Sequence, residues 1–413
     1  MIRVSLRRIC SILLATFIIA PDIGAIYRLN NEVTIIYALM ATILFLLGLK
    51  LRKINIKFNK VLMLMVVYIV GSSISTYMFI DKNQGFLGIL CSIAYLYIAF
   101  VLSSLCDRTL FIKYVQKLMI LLAYISLVSK VIGMDFFGII KKGSIFTSID
   151  PITGGISAIF EFRHYYGVFL MVTLISLILM PLRKKLTNTI NISVIVINII
   201  LTYTRNIWIA TGIVLILLFF KYYRFKITET GVLLGTLSLA LCVVCFIIFR
   251  NQIDSILGAI SARIDEITNA KNTYGGIGGV RGYTFTYGTK FILENWREYL
   301  LLGGGQGFAI MWLAANPYGQ WKEWTSAIDV QYVSTFMNSG LVGIVCLFWI
   351  ILIAIKMYIK QSDAKRTIFS LSIIGISISI IFFDIIGIPN SVFALWNVCL
   401  CFLDKDYIVR ENG

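Results

Sequence analysis

Charge is scarce in this chain: 14% of its 413 residues are Asp, Glu, Lys or Arg, well below the quarter or so of a soluble domain. Histidine occurs once, as His164. That excludes an HExxH zinc site and leaves a Ser–His–Asp triad only one residue to build on. No G-x-x-x-x-G-K-S/T loop is present, which argues against ATP hydrolysis. The glycine run GGIGG (275–279) is followed by no helix-opening phosphate signature and reads as a hinge. A small-x-small cleavage site is missing after the basic start Met1–Ile9 and the apolar Cys10–Ala20. The N-terminus therefore reads as a first membrane helix that stays attached, not as a cleaved leader.

Apolar residues fill the space that charge leaves. They make up 59% of the chain, with mean hydropathy +0.89, and they fall in long runs. A membrane span takes roughly 20 such residues. Twelve segments qualify: about 9–26, 33–49, 61–80, 86–105, 114–133, 165–182, 189–203, 207–220, 229–249, 328–355, 367–386 and 391–403. The last is the weakest, being short and containing Asn397. The expectation is an all-α polytopic integral membrane protein, a single membrane domain over 1–413 with about 12 transmembrane helices. The eight cysteines all lie in or beside these runs. Cys242 and Cys245 form a C-x-x-C in mid-helix with no partner pair or nearby histidine, so all eight read as small apolar side chains.

Lys and Arg in the connections set the orientation. If the spans alternate, one side collects 23 basic and 6 acidic residues and the other 14 of each, so the whole +17 lies on one side. That side is the cytosol, and it holds both termini. Spread over short inner loops, the excess signals topology and attraction to anionic lipid headgroups, not nucleic-acid binding. Two long loops fall outside, about 134–164 and 250–327. The second, between the ninth and tenth spans, begins with an amphipathic stretch over 251–269, and Tyr283–Leu302 offers a second, aromatic-rich one.

The candidate functional residues gather at the outer face. Arg205 sits in ILTYTRNIWIA between two spans with almost no loop. Such an arginine either serves function or snorkels to headgroups, and the polar Thr202, Thr204 and Asn206 favour function. Glu161, Arg163 and His164 enter the membrane together. The arginine can bind phosphate, and the carboxylate or imidazole can take a proton. They equally fit the ordinary charges flanking an aromatic belt of Tyr165 and Tyr166. In the second loop, Lys290, Glu294, Arg297 and Glu298 read as a solvated face with local pairs. Arg281, isolated among glycines and tyrosines, is the better ligand. Asp329 stands where substrate would meet the bilayer, or serves as a first-turn acid of the next helix. Asp384 lies near the outer end of a span and is suited to pairing with an arginine.

Three stretches together resemble the superfamily of bacterial O-antigen polymerases and O-antigen ligases. They are the arginine of TYTRN before a long apolar helix, a late outer loop with an arginine and LLLGGGQGF, and DVQYVSTFMNSGLVGIVCLFWIIL. The resemblance covers most of the chain. Ligases of this superfamily typically carry a histidine at the start of the last motif, where this chain has Asp329, so the likeness is nearer to the polymerases. It implies a GT-C-like glycosyltransferase of the bacterial plasma (inner) membrane, acting at the periplasmic or outer face. Its donor and acceptor would be oligosaccharide repeats carried on undecaprenyl diphosphate, its other partners membrane lipids, a chain-length regulator and a flippase, with no cofactor and no metal. By that reading Arg205 and Arg281, then Arg163, steady the departing diphosphate. Asp329 is the base, with Glu161 or His164 as alternatives, and Tyr332 contacts substrate. The rival expectations are a ligase moving glycan to another acceptor, a transporter or flippase of the same lipid-linked sugars, and a structural scaffold.

Overall fold

The computed structural model describes residues 2–50, 60–79, 82–138, 149, 154–182, 185–222, 284–317, 330–360, 363–381 and 390–403. Among these, helix dominates and there is no named strand; one isolated bridge joins Ile149 and Ile156. In chain order the helices are α1 Ile2–Phe17, α2 Ala20–Ile26, α3 Asn30–Lys50, α4 Lys60–Phe79, α5 Lys82–Leu105, α6 Arg108–Ile132, α7 Arg163–Leu179, α8 Lys185–Leu201 and α9 Arg205–Tyr222. The outer-loop helices α10 Thr289–Glu294, α11 Trp296–Tyr299 and α12 Phe308–Ala315 follow, then α13 Gln331–Lys360, α14 Ala364–Ser379 and α15 Ser391–Leu403. Helix occupies every expected segment that falls among the described residues. The segment 229–249, the Cys242/Cys245 pair, the stretch 251–269 and the hinge at 275–279 lie outside them.

Local chemistry explains several boundaries. Asp107 caps α6 by accepting from the amides of Thr109 (2.7 Å) and Leu110 (3.2 Å). Gly133 ends the same helix in the left-handed conformation at φ 73°. Asn390 starts α15 by accepting from the Phe393 amide at 2.8 Å.

α15, the least convincing segment on paper, is buried along its whole length. Apart from Ser391 and Asn397 it is apolar on every side, and it forms the central column of the bundle, packed by α5, α14, α4, α7 and α2. Its 13 residues span only about 20 Å. The bundle's exterior carries the converse signature: Ile35, Leu39, Ile43 and Leu46 on α3, and Val345, Trp349 and Leu352 on α13, are exposed. These are faces for lipid. By length and composition α3, α6 and α13 are long and apolar enough to cross a membrane, and α1 with α2, bent by 43°, would make a fourth as one broken span. α7, α8, α15 and the apolar parts of α4 and α5 are shorter.

The expected span 328–355 is not one straight helix. Gly340 has φ 59° and ψ −154°, and the chain folds back there. Tyr332 and Phe348 would lie about 24 Å apart along a straight helix, yet their rings stack at 5.9 Å. Likewise Gly343 lies beside the side chains of Thr335 and Ser339. α13 is thus a helical hairpin with Gly340 at its tip, and the membrane-length helix begins at Leu341.

The outer-loop stretch Leu300–Gly305 caps both halves of this hairpin. In an unbroken helix the amides of Leu341 and Val342 would bond the carbonyls of Met337 and Asn338. Instead they donate to the carbonyls of Leu300 (2.8 Å) and Leu301 (3.2 Å). The carbonyls of Met337 and Asn338 accept from the amides of Gly304 (2.8 Å) and Gly305 (3.0 Å). One segment therefore satisfies the orphan groups of two helix ends. It is also tied to the end of α4, where Gln306 N–H donates to Thr76 Oγ1 (2.7 Å) and Ser75 Oγ donates to the Gly303 carbonyl. Ile292, Trp312, Leu313, Val333 and Met337 close a small separate core beneath it. The expected helix over Tyr283–Leu302 is interrupted at Asn295, which separates α10 from α11.

Candidate functional site at one end of the bundle

One end of the bundle collects the first residues of α7, α9, α13 and α15. The C-terminal end of α14 joins two of these elements, α9 and α13: the Ser379 carbonyl accepts from Asn206 Nδ2 (3.2 Å), the Ile380 carbonyl from the Gln331 amide (3.2 Å) and the Ser377 carbonyl from the Tyr332 hydroxyl (3.0 Å). Asn390 Nδ2, before α15, donates to the Tyr165 hydroxyl of α7 (3.3 Å). A helix start carries partial positive charge, and four of them are gathered at this end, beside the arginines that open α7 and α9.

The end of the first long loop dives into this region. Gly155–Phe160 is buried and non-helical, and the Ile156 amide is bonded to the Leu201 carbonyl at 3.0 Å. Backbone like this is tolerated at membrane depth only inside protein. A side chain at Gly155 would sit 2.6 Å from the Thr202 carbonyl and about 3.1–3.2 Å from Arg163 Cδ and Nη1. The Arg163 side chain therefore lies across Gly155, beside the turn that leads to Arg205. One turn along, Gly167 of α7 meets Ile207 of α9 so closely that a Cβ would come within 2.8 Å. Arg163 and Arg205 thus open two helices that touch within four residues of each.

The turn before Arg205 is over-determined. Tyr203 holds φ 50°, a strained value for a side chain of its size. The Ile199 carbonyl accepts from Thr202 Oγ1 (2.7 Å) and Trp208 Nε1 (2.9 Å), and the hydroxyls of Thr202 and Thr204 share a hydrogen bond of 2.5 Å. Strain held by so many bonds fixes where the arginine stands.

Of the expected site residues, the structure brings Glu161, Arg163, His164, Arg205 and Tyr332 to this one end. Glu161, Arg163, His164, Arg205 and Tyr332 are each half-buried. The Tyr332 hydroxyl is spent on Ser377 and its ring stacks on Phe348. Arg281, Asp329 and Asp384 lie outside the described residues. Lys290 and Glu294 form an exposed pair at 3.6 Å, one helical turn apart, as a solvated face would. Two further charged residues belong here. Lys130 donates to the Gly154 carbonyl at 2.9 Å, and Asp22 is fully buried. An ionisable residue inside an apolar run is the signal that could have singled them out. Among the described residues no three His, Cys, Asp or Glu side chains are placed to hold a metal ion.

Among the described residues these features define an all-helical protein with apolar helices fit for a membrane and a cluster of charged side chains at one end. Residues 190–348 match the model of a family described as O-antigen ligase, which places this segment in the O-antigen ligase and polymerase superfamily. The match runs from within α8 to the returning arm of the α13 hairpin and takes in Arg205, Leu300–Gly305 and Gly340. No curated protein matches the chain.

Proposed function

We propose that this chain is a polysaccharide polymerase that joins undecaprenyl-diphosphate-linked oligosaccharide repeats at the outer face of the plasma membrane. The observation that carries the reading is the pairing of Arg163 and Arg205 at the starts of two touching helices, beside two further helix starts. A hydroxyl of the acceptor sugar attacks the anomeric carbon of the donor, the bond from that carbon to the diphosphate oxygen breaks, and undecaprenyl diphosphate leaves. The negative charge that builds on the leaving oxygen needs fixed cations, and bidentate arginines suit phosphate. The hydroxyl proton passes to a base, for which Asp329 is the first choice and Glu161 or His164 the alternatives. The wider layout belongs to the same proposal: twelve spans, both termini in the cytosol, the 250–327 loop outside.

A ligase is the second reading, favoured by the description of the matching family. Against it stands the single histidine, which lies at 164 and not at the start of the last motif. Surface glycan from a deletion strain separates the two on a gel. One repeat on the carrier's final acceptor, without a ladder, means polymerase; a full ladder that stays on the lipid carrier means ligase.

A further inference from the structure

Asp22 joins three distant parts of the chain with one buried carboxylate. Its Oδ1 accepts from the Ser391 amide (3.1 Å) at the start of α15, and its Oδ2 from the Glu161 amide (3.3 Å). Its own amide donates to Ser391 Oγ (3.2 Å), and that hydroxyl donates to the Ile19 carbonyl (3.2 Å). The result is a closed ring between residues 369 apart in sequence. A buried carboxylate is costly unless its oxygens are bonded. The ring to Ser391 fastens α2 to α15, and the second carboxylate oxygen holds a different element. It holds the backbone two residues before Arg163, at the mouth of α7.

Resting on the proposed function, we infer that Asp22 is a positioning residue for Arg163. The carboxylate holds the chain at Glu161 on one side, and Gly155 gives the arginine side chain a flat seat on the other. The arginine side chain lies over Gly155, beside the turn of Arg205. The carboxylate acts through the backbone amide of Glu161.

Asp22→Asn is the informative change, because an amide presents one accepting oxygen where the carboxylate presents two. Ser391→Ala is its comparator, since it breaks the ring and leaves the carboxylate in place. The assay is binding of undecaprenyl diphosphate to the full-length protein in nanodiscs, alongside kcat and KM for a synthetic undecaprenyl-diphosphate-linked repeat. Asp22→Asn is expected to weaken binding and raise KM about tenfold. Combined with Arg163→Ala it should add nothing to the loss caused by Arg163→Ala alone, because both remove one interaction. Ser391→Ala should lower the melting temperature and leave KM near wild type. Full additivity of the two losses, or equal kinetics for Asp22→Asn and Ser391→Ala, would show Asp22 to be a structural joint only. If Asp22→Asn yields no folded protein, Asp22→Glu, which keeps two acceptors displaced by one methylene, is put through the same cycle and judged by the same criteria. Wild-type binding by Arg163→Ala, or no binding by the wild type, defeats the functional reading itself and this inference with it. Loss in Arg163→Ala with none in Asp22→Asn defeats the inference alone.

Discussion

Gly303 and Gly340 face each other at the tip of the α13 hairpin with no room for a Cβ on either. A Cβ on Gly303 would lie 2.5 Å from the Ser339 nitrogen and 2.7 Å from that of Gly340; one on Gly340 would lie 2.5 Å from the Leu301 carbonyl oxygen and 2.6 Å from the Gly303 nitrogen. Both have positive φ, 69° and 59°. Gly340→Ala and Gly303→Ala should each cost about 1–3 kcal/mol from backbone strain and a further ~1–3 kcal/mol from crowding. Gly307 is the internal control: its φ is 89°, but nothing lies within 4 Å of its Cβ position. Gly307→Ala should cost the strain alone. Thermal melts of the detergent-purified variants would show the ranking, and equal losses at all three positions would contradict the clasp.

Arg163 and Arg205 share one local frame, so losing either should have the same consequence. Arg163→Ala and Arg205→Ala are expected to lower polymer formation by about 10²–10³-fold with unchanged protein in the membrane. Arg205→Lys should retain part of the rate, since it keeps the charge and loses the planar fork. Arg281→Ala is expected to behave like the other two alanine variants. A glycan ladder gel beside an immunoblot of the membranes reads all four. Wild-type ladders from Arg163→Ala and Arg205→Ala would end their assignment to the diphosphate.

The contact between Gly167 and Ile207 sets the spacing of those arginines. Gly167→Ala places a methyl 2.8 Å from Ile207 Cγ1, and pushing α7 from α9 should cost about 1–3 kcal/mol. Ile207→Ala alone should cost about 2–5 kcal/mol by leaving a cavity. The double variant should be clearly more stable than the sum of the two, because each change relieves the other. Melting temperatures give the cycle, and simple additivity would mean the helices do not meet there.

The sequence made the helical segments legible because run length alone marks them. It ranked α15 last for its shortness and Asn397, which are the properties of a helix enclosed by other helices. Hydropathy cannot tell an interior column from a lipid-facing one. The hairpin was invisible for a related reason: NSGLVGIVCLFW is continuous in composition, and the break at Gly340 depends on Leu300–Gly305, some 35 residues away. Arg163 and Arg205 could be placed at one face by counting spans, but their nearness follows from Gly155 and Gly167. Asp22 was missed because its partners, Glu161 and Ser391, are remote in sequence.

Topology can be checked at residues the structure places at opposite ends. Phe162 is exposed at the end that holds the arginines, and Leu186 is exposed at the start of α8, the other end of that helix from Leu201. In a background without native cysteines, Phe162→Cys in intact cells or spheroplasts should react with a membrane-impermeant maleimide, as should Asn272→Cys. Leu186→Cys should react only after lysis. The reverse pattern would put the arginines in the cytosol and exclude an outer-face reaction.

The base is the remaining choice, and pH separates the candidates where geometry brings two of them together. Glu161 and His164 flank Arg163, whereas Asp329 directly precedes Val330 at the start of α13. A general base contributes about 10²–10⁴-fold, so Asp329→Asn should lower kcat by that order and leave carrier binding intact. A base works only when unprotonated, so the rate falls as pH drops through its titration. An imidazole ordinarily titrates about two units above a carboxylate, so the pH profile of His164→Gln against that of the wild type is the discriminating comparison. His164→Gln should not change the profile. Loss of the acid limb in His164→Gln moves the base to His164. An unchanged profile with a near-normal Asp329→Asn rate moves it to Glu161.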